Sequence, residues 1–358
     1  MIDKNRKTVV VAMSGGVDSS VCAALMKERG YDVIGMMLRL WSVPGKETEN
    51  RCCTVDAMNQ ARRIAAQLEI PFYAIDAKEF FRETVVDYFL NGYTQGITPN
   101  PCLVCNRHIR WGLLLDRALD AGMDLFATGH YARLREMPGG QIQLLRGVDK
   151  QKDQSYFLHL LNQQQLKHTL LPLGDYTKPQ VREMAQRFNL PTADRPDSQD
   201  LCFLGDETLE AFLLQQAPET DHPGPILNPQ GEEIGQHRGL AFYTIGQRRG
   251  LGIAAPRPLY VIEKDIENNI LIVGYREELG RDHLTAHDVN WIAGQPPEKP
   301  IRAEIKIRYK ARPVWGLVIP RGESKVEIRF DESLRDITPG QAAVFYDGEI
   351  CLGGGTIA

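Results

Sequence analysis

Lys7-Thr8-Val9-Val10-Val11-Ala12-Met13-Ser14-Gly15-Gly16-Val17-Asp18-Ser19-Ser20 is a run of β-branched residues that stops at two glycines and restarts as a polar, helix-opening string. Lys7–Met13 reads as a buried strand and Asp18–Arg29 as a helix. Glycines let the backbone between them turn tightly and bring its N–H groups close to an anion. The next helix offers unsatisfied N–H donors and a positive dipole end. Ser14, Ser19 and Ser20 add hydroxyls, and Asp18 suits either a helix cap or a metal beside phosphates. The loop is not GxxxxGK[ST], because the lysine is absent.

Working outward, Tyr31–Leu40, Phe72–Asp76 and Leu125–Thr128 read as further strands. Ala57–Leu68, Glu79–Leu90 and Ile109–Ala121 read as helices between them. Such alternation predicts an α/β fold, a doubly wound parallel sheet covered on both faces. Tyr131–Glu136 and Gln141–Gly147 suggest a hairpin, and Tyr156–Leu170 and Pro179–Asn189 two more helices. After about Gly205 the pattern changes. Pro223-Gly224-Pro225 and Asn228–Gly231 are turn signals, and from Leu240 onward short strands dominate, among them Leu259–Glu263, Val289–Ile292, Ile301–Tyr309 and Ala342–Tyr346. These predict a small barrel or sandwich. The expected domains are 1–205, 206–280 and 281–358.

The 358 residues exceed what one core usually holds. Apolar residues at 43% and charged residues at 25% fit a globular protein, and no apolar run is long enough for a membrane helix. The charged start of the chain is unlike a signal peptide, so a cytoplasmic location is expected. A net charge of −4 leaves any RNA binding to local basic patches. The odd count of seven cysteines argues against a disulfide framework. Cys22 and Cys351 suit plain burial. Cys105, in the Thr98–Asn106 string just before an expected helix, would feel the helix dipole and have a lowered pKa. Cys202 lies in the polar, Asp-rich string Asp197–Phe203, which predicts a mobile loop. The spacing of Cys102 and Cys105, with His108 three residues on and Cys202 as third ligand, also suits zinc or an iron–sulfur cluster, with Cys52-Cys53 as a further source of a ligand.

The string SGGVDSS resembles the PP-loop of ATP pyrophosphatases, of the adenine nucleotide α-hydrolase-like kind. With TPNPxxxCN, ATGHYAR (Ala127–Arg133), KDQSYFL (Lys152–Leu158), TIGQRRGLG (Thr244–Gly252) and TPGQAAVFY (Thr338–Tyr346) in order, the whole chain resembles the tRNA-specific 2-thiouridylase (MnmA/TrmU) family. The resemblance implies a PP-loop domain, a small central domain and a C-terminal β-barrel. It implies ATP-dependent 2-thiolation of the wobble uridine (position 34) of tRNA, with Mg²⁺ as companion ion, a sulfur-donor protein as partner, and a monomer. Ala12, Met13, Ser14, Gly15, Gly16, Val17, Asp18 and Ser19 match the ATP site, with Leu38 and Gly129 flanking the adenosine. Cys105 matches the nucleophile and Cys202 the persulfide carrier. Asn100, Pro101 and Cys102 match the segment that meets the target base. His130, Lys152, Asp153, Gln154, Arg308, Tyr309 and Gln341 match tRNA contacts. Many relatives have aspartate where this chain has Cys102.

Lys306, Arg308 and Lys310 alternate onto one strand face and Arg248-Arg249 lies between glycines, which suits either a solvated face or phosphate contacts, and the resemblance favours the contacts. Asp153 also suits an N-cap for a Ser155–Leu161 helix. The implied chemistry is adenylation of the uridine C2 oxygen, sulfur transfer from a Cys202 persulfide, and a Cys105–Cys202 disulfide left behind. A ligase acting on a small molecule is the competing enzyme, and a non-catalytic RNA-binding module the competing binder. The first needs no paired cysteines and the second no intact SGGVDSS.

Overall fold

Val9, Val10 and Val11 expose no surface, because their strand is the centre of a parallel sheet. A computed structural model describes residues 6–42, 55–195, 201–205 and 207–358. Cys52-Cys53 and residues 197–200 of the second cysteine string lie outside the described residues. In chain order come β1 (Thr8–Ala12), α1 (Val17–Glu28), β2 (Asp32–Arg39), α2 (Val55–Gln67) and β3 (Phe72–Asp76). Lys78–Phe81, Arg82–Val86 and Asp87–Thr94 run on as one helix, α3; Pro101–Val104, Cys105–Leu114 and Leu115–Asp120 as another, α4. The middle stretch of each is π-helical. Then follow β4 (Leu125–Ala127), the hairpin β5 (Ala132–Glu136) and β6 (Ile142–Arg146), α5 (Ser155–Leu158), α6 (Gln163–Lys167), β7 (Thr169–Leu170), α7 (Lys178–Arg187) and α8 (Leu209–Gln216).

The first sheet has the order β3-β2-β1-β4-β7, all parallel. Alternation along β1 decides its two faces. Val9 and Val11 pack with Val21, Met26 and Ile64 of α1 and α2, whereas Val10 packs with Trp111 and Leu114 of α4. Both faces are therefore covered, which a parallel β-branched strand requires.

A second, four-stranded sheet is built from β8 (Gly224–Leu227), β9 (Glu233–His237), β10 (Tyr260–Asp265) and β11 (Ile270–Gly274), in the order β10-β11-β8-β9. The Asn228–Gly231 signal is the β8–β9 turn. The C-terminal strands are β12 (Arg281–Trp291), β13 (Ile301–Lys306), β14 (Val314–Pro320), β15 (Val326–Leu334), β16 (Ala342–Asp347) and β17 (Ile350–Ile357). They run in the order β12-β15-β14-β13-β16-β17, and β12 also pairs with β17, closing a barrel. The early hairpin joins this barrel through Leu145↔Ile350 and Leu144↔Cys351. One apolar cluster consequently runs from Val10 and Phe126 through Leu144 and Tyr156 to Val344 and Cys351.

Several sequence expectations are corrected. α4 starts at Pro101, not Ile109, because Asn100 is an extended N-cap and proline is preorganised for the first helical position. Tyr156–Leu170 is not one helix: Asn162 and Gln165 form a capping box that starts α6, and Thr169 leaves to join the sheet. Strand β12 begins at Arg281, well before Val289. Strand β13 ends at Lys306, so the alternation expected through Lys310 stops where a turn begins. No helix among the described residues is long and apolar enough to cross a membrane.

Candidate active site

Neighbouring strands β1 and β4 send their following loops apart, and the crevice between such loops is where open parallel sheets bind ligands. Ala12, Met13 and Ser14 leave β1; Thr128, Gly129 and His130 leave β4; Leu38 and Leu40 end β2. With Asp18, Ser19, Cys105, Arg110, Gln154 and Cys202 they line one cleft of about 190 Å³.

The loop itself is tied by its own serines. Ser14 N–H donates to Ser19 Oγ at 3.1 Å, and the Ser19 and Ser20 hydroxyls donate to Gly16 O at 3.1 and 2.7 Å. Gly15 has φ +71°, and a Cβ there would lie 2.5 Å from Ala57 O, so only glycine fits. Gly129 is held to glycine from the other side: a Cβ would lie 2.9–3.0 Å from the backbone of Asp18 and Ser19. The β4 loop thus rests on the N-terminus of α1. Gly16 caps that helix without a side-chain acceptor, which leaves its first-turn N–H groups for an anion.

Asp18 does not cap the helix. Lys178, at the start of α7 and 8% exposed, donates to both its carboxylate oxygens at 2.7 and 2.8 Å. Tyr131 Oη donates to Asp18 Oδ1 at 2.7 Å. Arg195 Nη1 donates to Gly15 O at 2.7 Å. The loop's carboxylate is therefore paired from 160 residues away. Sequence reading missed Lys178, Tyr131 and Arg195, since no local pattern marks a partner at such separation.

The sulfur side of the cleft rests on α4. Its π-helical stretch starts at Cys105 and places Cys105, Ile109, Arg110 and Leu114 along one lining. Single π turns inside α-helices are common at functional sites. Cys105 lies in the second turn of the helix, so the dipole argument falls on Cys102, in the first turn, rather than on Cys105. Cys105 is buried, Cys102 exposed and Cys202 half-buried. Cys202 is held by its neighbour Phe203, 3% exposed, whose ring lies 6.2, 5.1 and 5.5 Å from those of Phe81, Phe89 and Phe212. The described end of that loop is packed through Phe203, while residues 197–200, on which the expected mobility rests, lie outside the described residues. Cys22 and Cys351 are fully buried, and burial pushes both thiols far up.

His130 is buried beside Arg110. Arg110 Nη1 donates to His130 Nε2 at 3.0 Å; guanidinium only donates, so Nε2 accepts and the ring proton sits on Nδ1, which donates to Thr128 Oγ1 at 2.8 Å. Burial, and then Arg110, hold His130 well below its ordinary range. Gln154 trades bonds with Tyr131, at 2.8 and 3.0 Å.

Other matched residues bind the framework. Asp153 is buried and accepts from Gly147 N, Ser155 N and Ser155 Oγ at 3.0–3.1 Å, although the N-cap position of α5 is Gln154 and the helix ends at Leu158. Arg308 donates to Thr338 Oγ1 and, at 3.1 Å, to Ile245 O. Gln341 donates to Thr98 O at 2.8 Å, two residues before Asn100. Tyr309 packs on Phe157 at 4.5 Å, with Lys306 over its ring. Asn100 is half-buried and Pro101 buried, and Lys152 is half-buried beside Asp153. Arg248 and Arg249 are exposed.

The donor set for a cluster does not converge. Cys102 and His108 are exposed and line no part of the cleft, and among the described residues no three His, Cys, Asp or Glu side chains gather as a metal site needs. Asp18 is the one carboxylate lining the cleft among the described residues, and Lys178 and Tyr131 engage its oxygens, so a magnesium ion beside it would rest mainly on nucleotide oxygens.

The chain matches three family models in succession: the tRNA methyl transferase HUP domain over residues 7–206, the tRNA methyl transferase PRC-barrel domain over 210–275, and the aminomethyltransferase beta-barrel domain over 281–357. It is 48% identical over 359 residues to the tRNA-specific 2-thiouridylase MnmA of Symbiobacterium thermophilum, covering 98% of this chain and 92% of that one. The enzyme of the same name from Carboxydothermus hydrogenoformans is 47% identical over 357 residues, 98% of each chain. That of Moorella thermoacetica is 48% identical over 352 residues, 97% of this chain and 98% of that one.

Proposed function

The chain belongs to the tRNA-specific 2-thiouridylase family, and from that premise we propose how its cleft divides the work. It is a tRNA-uridine 2-sulfurtransferase that forms 2-thiouridine in tRNA with ATP. The observation that carries the detailed reading is that the phosphate loop, Cys105 and Cys202 line one cleft. ATP lies over Ala12–Ser19, its adenosine flanked by Leu38 and Gly129. The uridine C2 oxygen attacks the α-phosphorus, the bond to pyrophosphate breaks, and the base is adenylated. Asp18 would help hold Mg²⁺ beside the phosphates, and the ion would supply charge shielding for the leaving pyrophosphate.

Sulfur then arrives from a Cys202 persulfide. Either its terminal sulfur attacks C2 and Cys105 afterwards cleaves the S–S bond, or Cys105 cleaves it first and hydrosulfide attacks. In both orders the C2–O2 bond breaks, AMP leaves, and a Cys105–Cys202 disulfide remains for an external thiol to reduce. Cys102 is an accessory thiol near the target base, together with Asn100 and Pro101. The tRNA lies across this segment, His130, Lys152–Gln154, Arg308, Tyr309 and Gln341, in the wobble position's neighbourhood. The working division is 1–205, 206–280 and 281–358, acting as a cytoplasmic monomer that receives sulfur from a donor protein.

The test is reconstitution with tRNA, ATP and a persulfide donor. Cys105→Ser and Cys202→Ser should each stop thiolation while pyrophosphate release continues. Normal 2-thiouridine from either variant, read by mass spectrometry at the wobble base, would sink this assignment.

A further inference from the structure

Arg110 is a half-buried cation without a counter-ion. Its hydrogen-bond partners are His130 Nε2 at 3.0 Å and Asn106 Oδ1 at 3.3 Å, both shared by the one nitrogen Nη1. Both partners are uncharged and buried, at 6% and 3% exposure, and Asn106 is itself fixed by donating to Phe157 O. No carboxylate bridges Arg110 among the described residues, whereas the buried Lys178 pairs with Asp18 of the phosphate loop. Among the described residues lining the cleft, Arg110 is the one lysine or arginine. Taking a charge partly out of water is costly unless an anion joins it. Two rigid neutral partners that leave the charge uncancelled fit a receptor for an anion that comes and goes.

We propose that Arg110 receives the α-phosphate of the adenylated uridine; this rests on the adenylation reading above. Position selects that anion. The backbone of Arg110 lies one π turn past Cys105, while its guanidinium is tethered to His130, next to Gly129, which rests against the N-terminus of α1. The residue thus bridges the sulfur wall and the phosphate wall. The α-phosphate is the one substrate group bonded both to the nucleoside and, through O2, to the carbon that accepts sulfur. Negative charge shifts there in both steps. In the first the electron pair of the breaking P–O bond leaves with pyrophosphate as O2–P forms. In the second the pair of the C2–O2 bond moves onto the departing AMP as C2–S forms. A guanidinium with Nε and Nη2 uncommitted offers the two-pronged edge that phosphate oxygens take. His130 must stay neutral for this, since only an unprotonated Nε2 can hold Nη1.

The experiment compares AMP with adenosine on the full-length protein by calorimetry. Arg110→Gln keeps a donor for His130 and removes the charge; Arg110→Lys keeps the charge. The parent should prefer AMP over adenosine. Arg110→Gln should lose about 10-fold or more of that preference with adenosine affinity unchanged, which also reports that the variant is folded. Arg110→Lys should keep most of it. Single-turnover thiolation should follow the same order. An unaltered AMP preference in Arg110→Gln, or equal losses in both variants, would overturn the proposal. So would a raised pH midpoint for Cys105 alkylation with AMP preference intact, since the guanidinium would then serve the thiol. A parent that binds neither AMP nor ATP would remove the nucleotide reading itself, and this proposal with it.

Discussion

Two polar regions of this molecule are built by opposite rules. In the nucleotide cleft the serines Ser14, Ser19 and Ser20 bond within a few residues of themselves, Lys178 and Arg195 brace Asp18 and Gly15 from afar, and the open N–H groups of α1 and the free edge of Arg110 are left for ligand. In the seam where barrel, central sheet and the start of α4 meet, donors reach far along the chain. Arg308 reaches Ile245, Gln341 reaches Thr98, and Lys264 Nζ reaches Gly96 O at 3.1 Å. A region poised for substrate keeps its hydrogen-bonding capacity unspent. The seam spends it on itself, so its residues carry stability, to which the proposed function adds recognition.

The sharpest way to break this contrast is Asp18→Ala. Adenylation should fall about 100- to 1000-fold, as expected when a group at the reacting phosphates is lost, and about 3 kcal/mol of stability should go with it, because Lys178 is left buried without its carboxylate. That stability loss with pyrophosphate release retained would show that the pair is structural only. Arg308→Ala should act chiefly on stability: about 2 kcal/mol lost in urea unfolding, because Thr338 and Ile245 lose a charged donor. Its salt slope for tRNA binding should change by less than that of Lys152→Ala, for which about 0.7–0.9 is expected per phosphate contact. Equal slope changes would put Arg308 wholly on the RNA.

Lys264 gives a smaller, pH-dependent signal. Burial pulls it down to about 8 from 10.5. Between those values the unfolded chain binds more protons than the folded one, so stability rises with pH across that window. The parent should gain about 2 kcal/mol more than Lys264→Met from pH 8 to pH 10.5; parallel curves would mean that the ammonium is solvated. The least effect belongs to Arg302→Ala on the barrel surface. Its exposed pair with Asp331 should contribute under about 0.5 kcal/mol, checked by the same unfolding curves.

Legibility in the sequence followed the same division. The run Thr8–Ala12 and the string after it could be read directly, because strand burial, glycine turn and serine ties are all local. The start of α4 was lost since Thr98-Pro99-Asn100-Pro101 looks like loop, and only the extended Asn100 turns Pro101 into a first helical residue. The seam residues could be placed by family resemblance but not by pattern, for Arg308 looks like any charged strand end until Thr338 is beside it. Lys178 and Arg110 gave no signal: one is an ordinary lysine at a helix start, the other one of several arginines on a helix.

The hairpin β5–β6 has a consequence for synthesis on the ribosome. Its outer edge is completed by Ile350 and Cys351, roughly 200 residues further along. At the usual 5–20 residues per second the hairpin waits about 10–40 s for that partner. During this interval Leu144 and Leu145 have a nucleotide-binding unit beneath them and no barrel beside them. The nascent chain must therefore finish its last strand before its first domain is sealed, and a fragment ending near residue 280 would be born with an adhesive sheet edge.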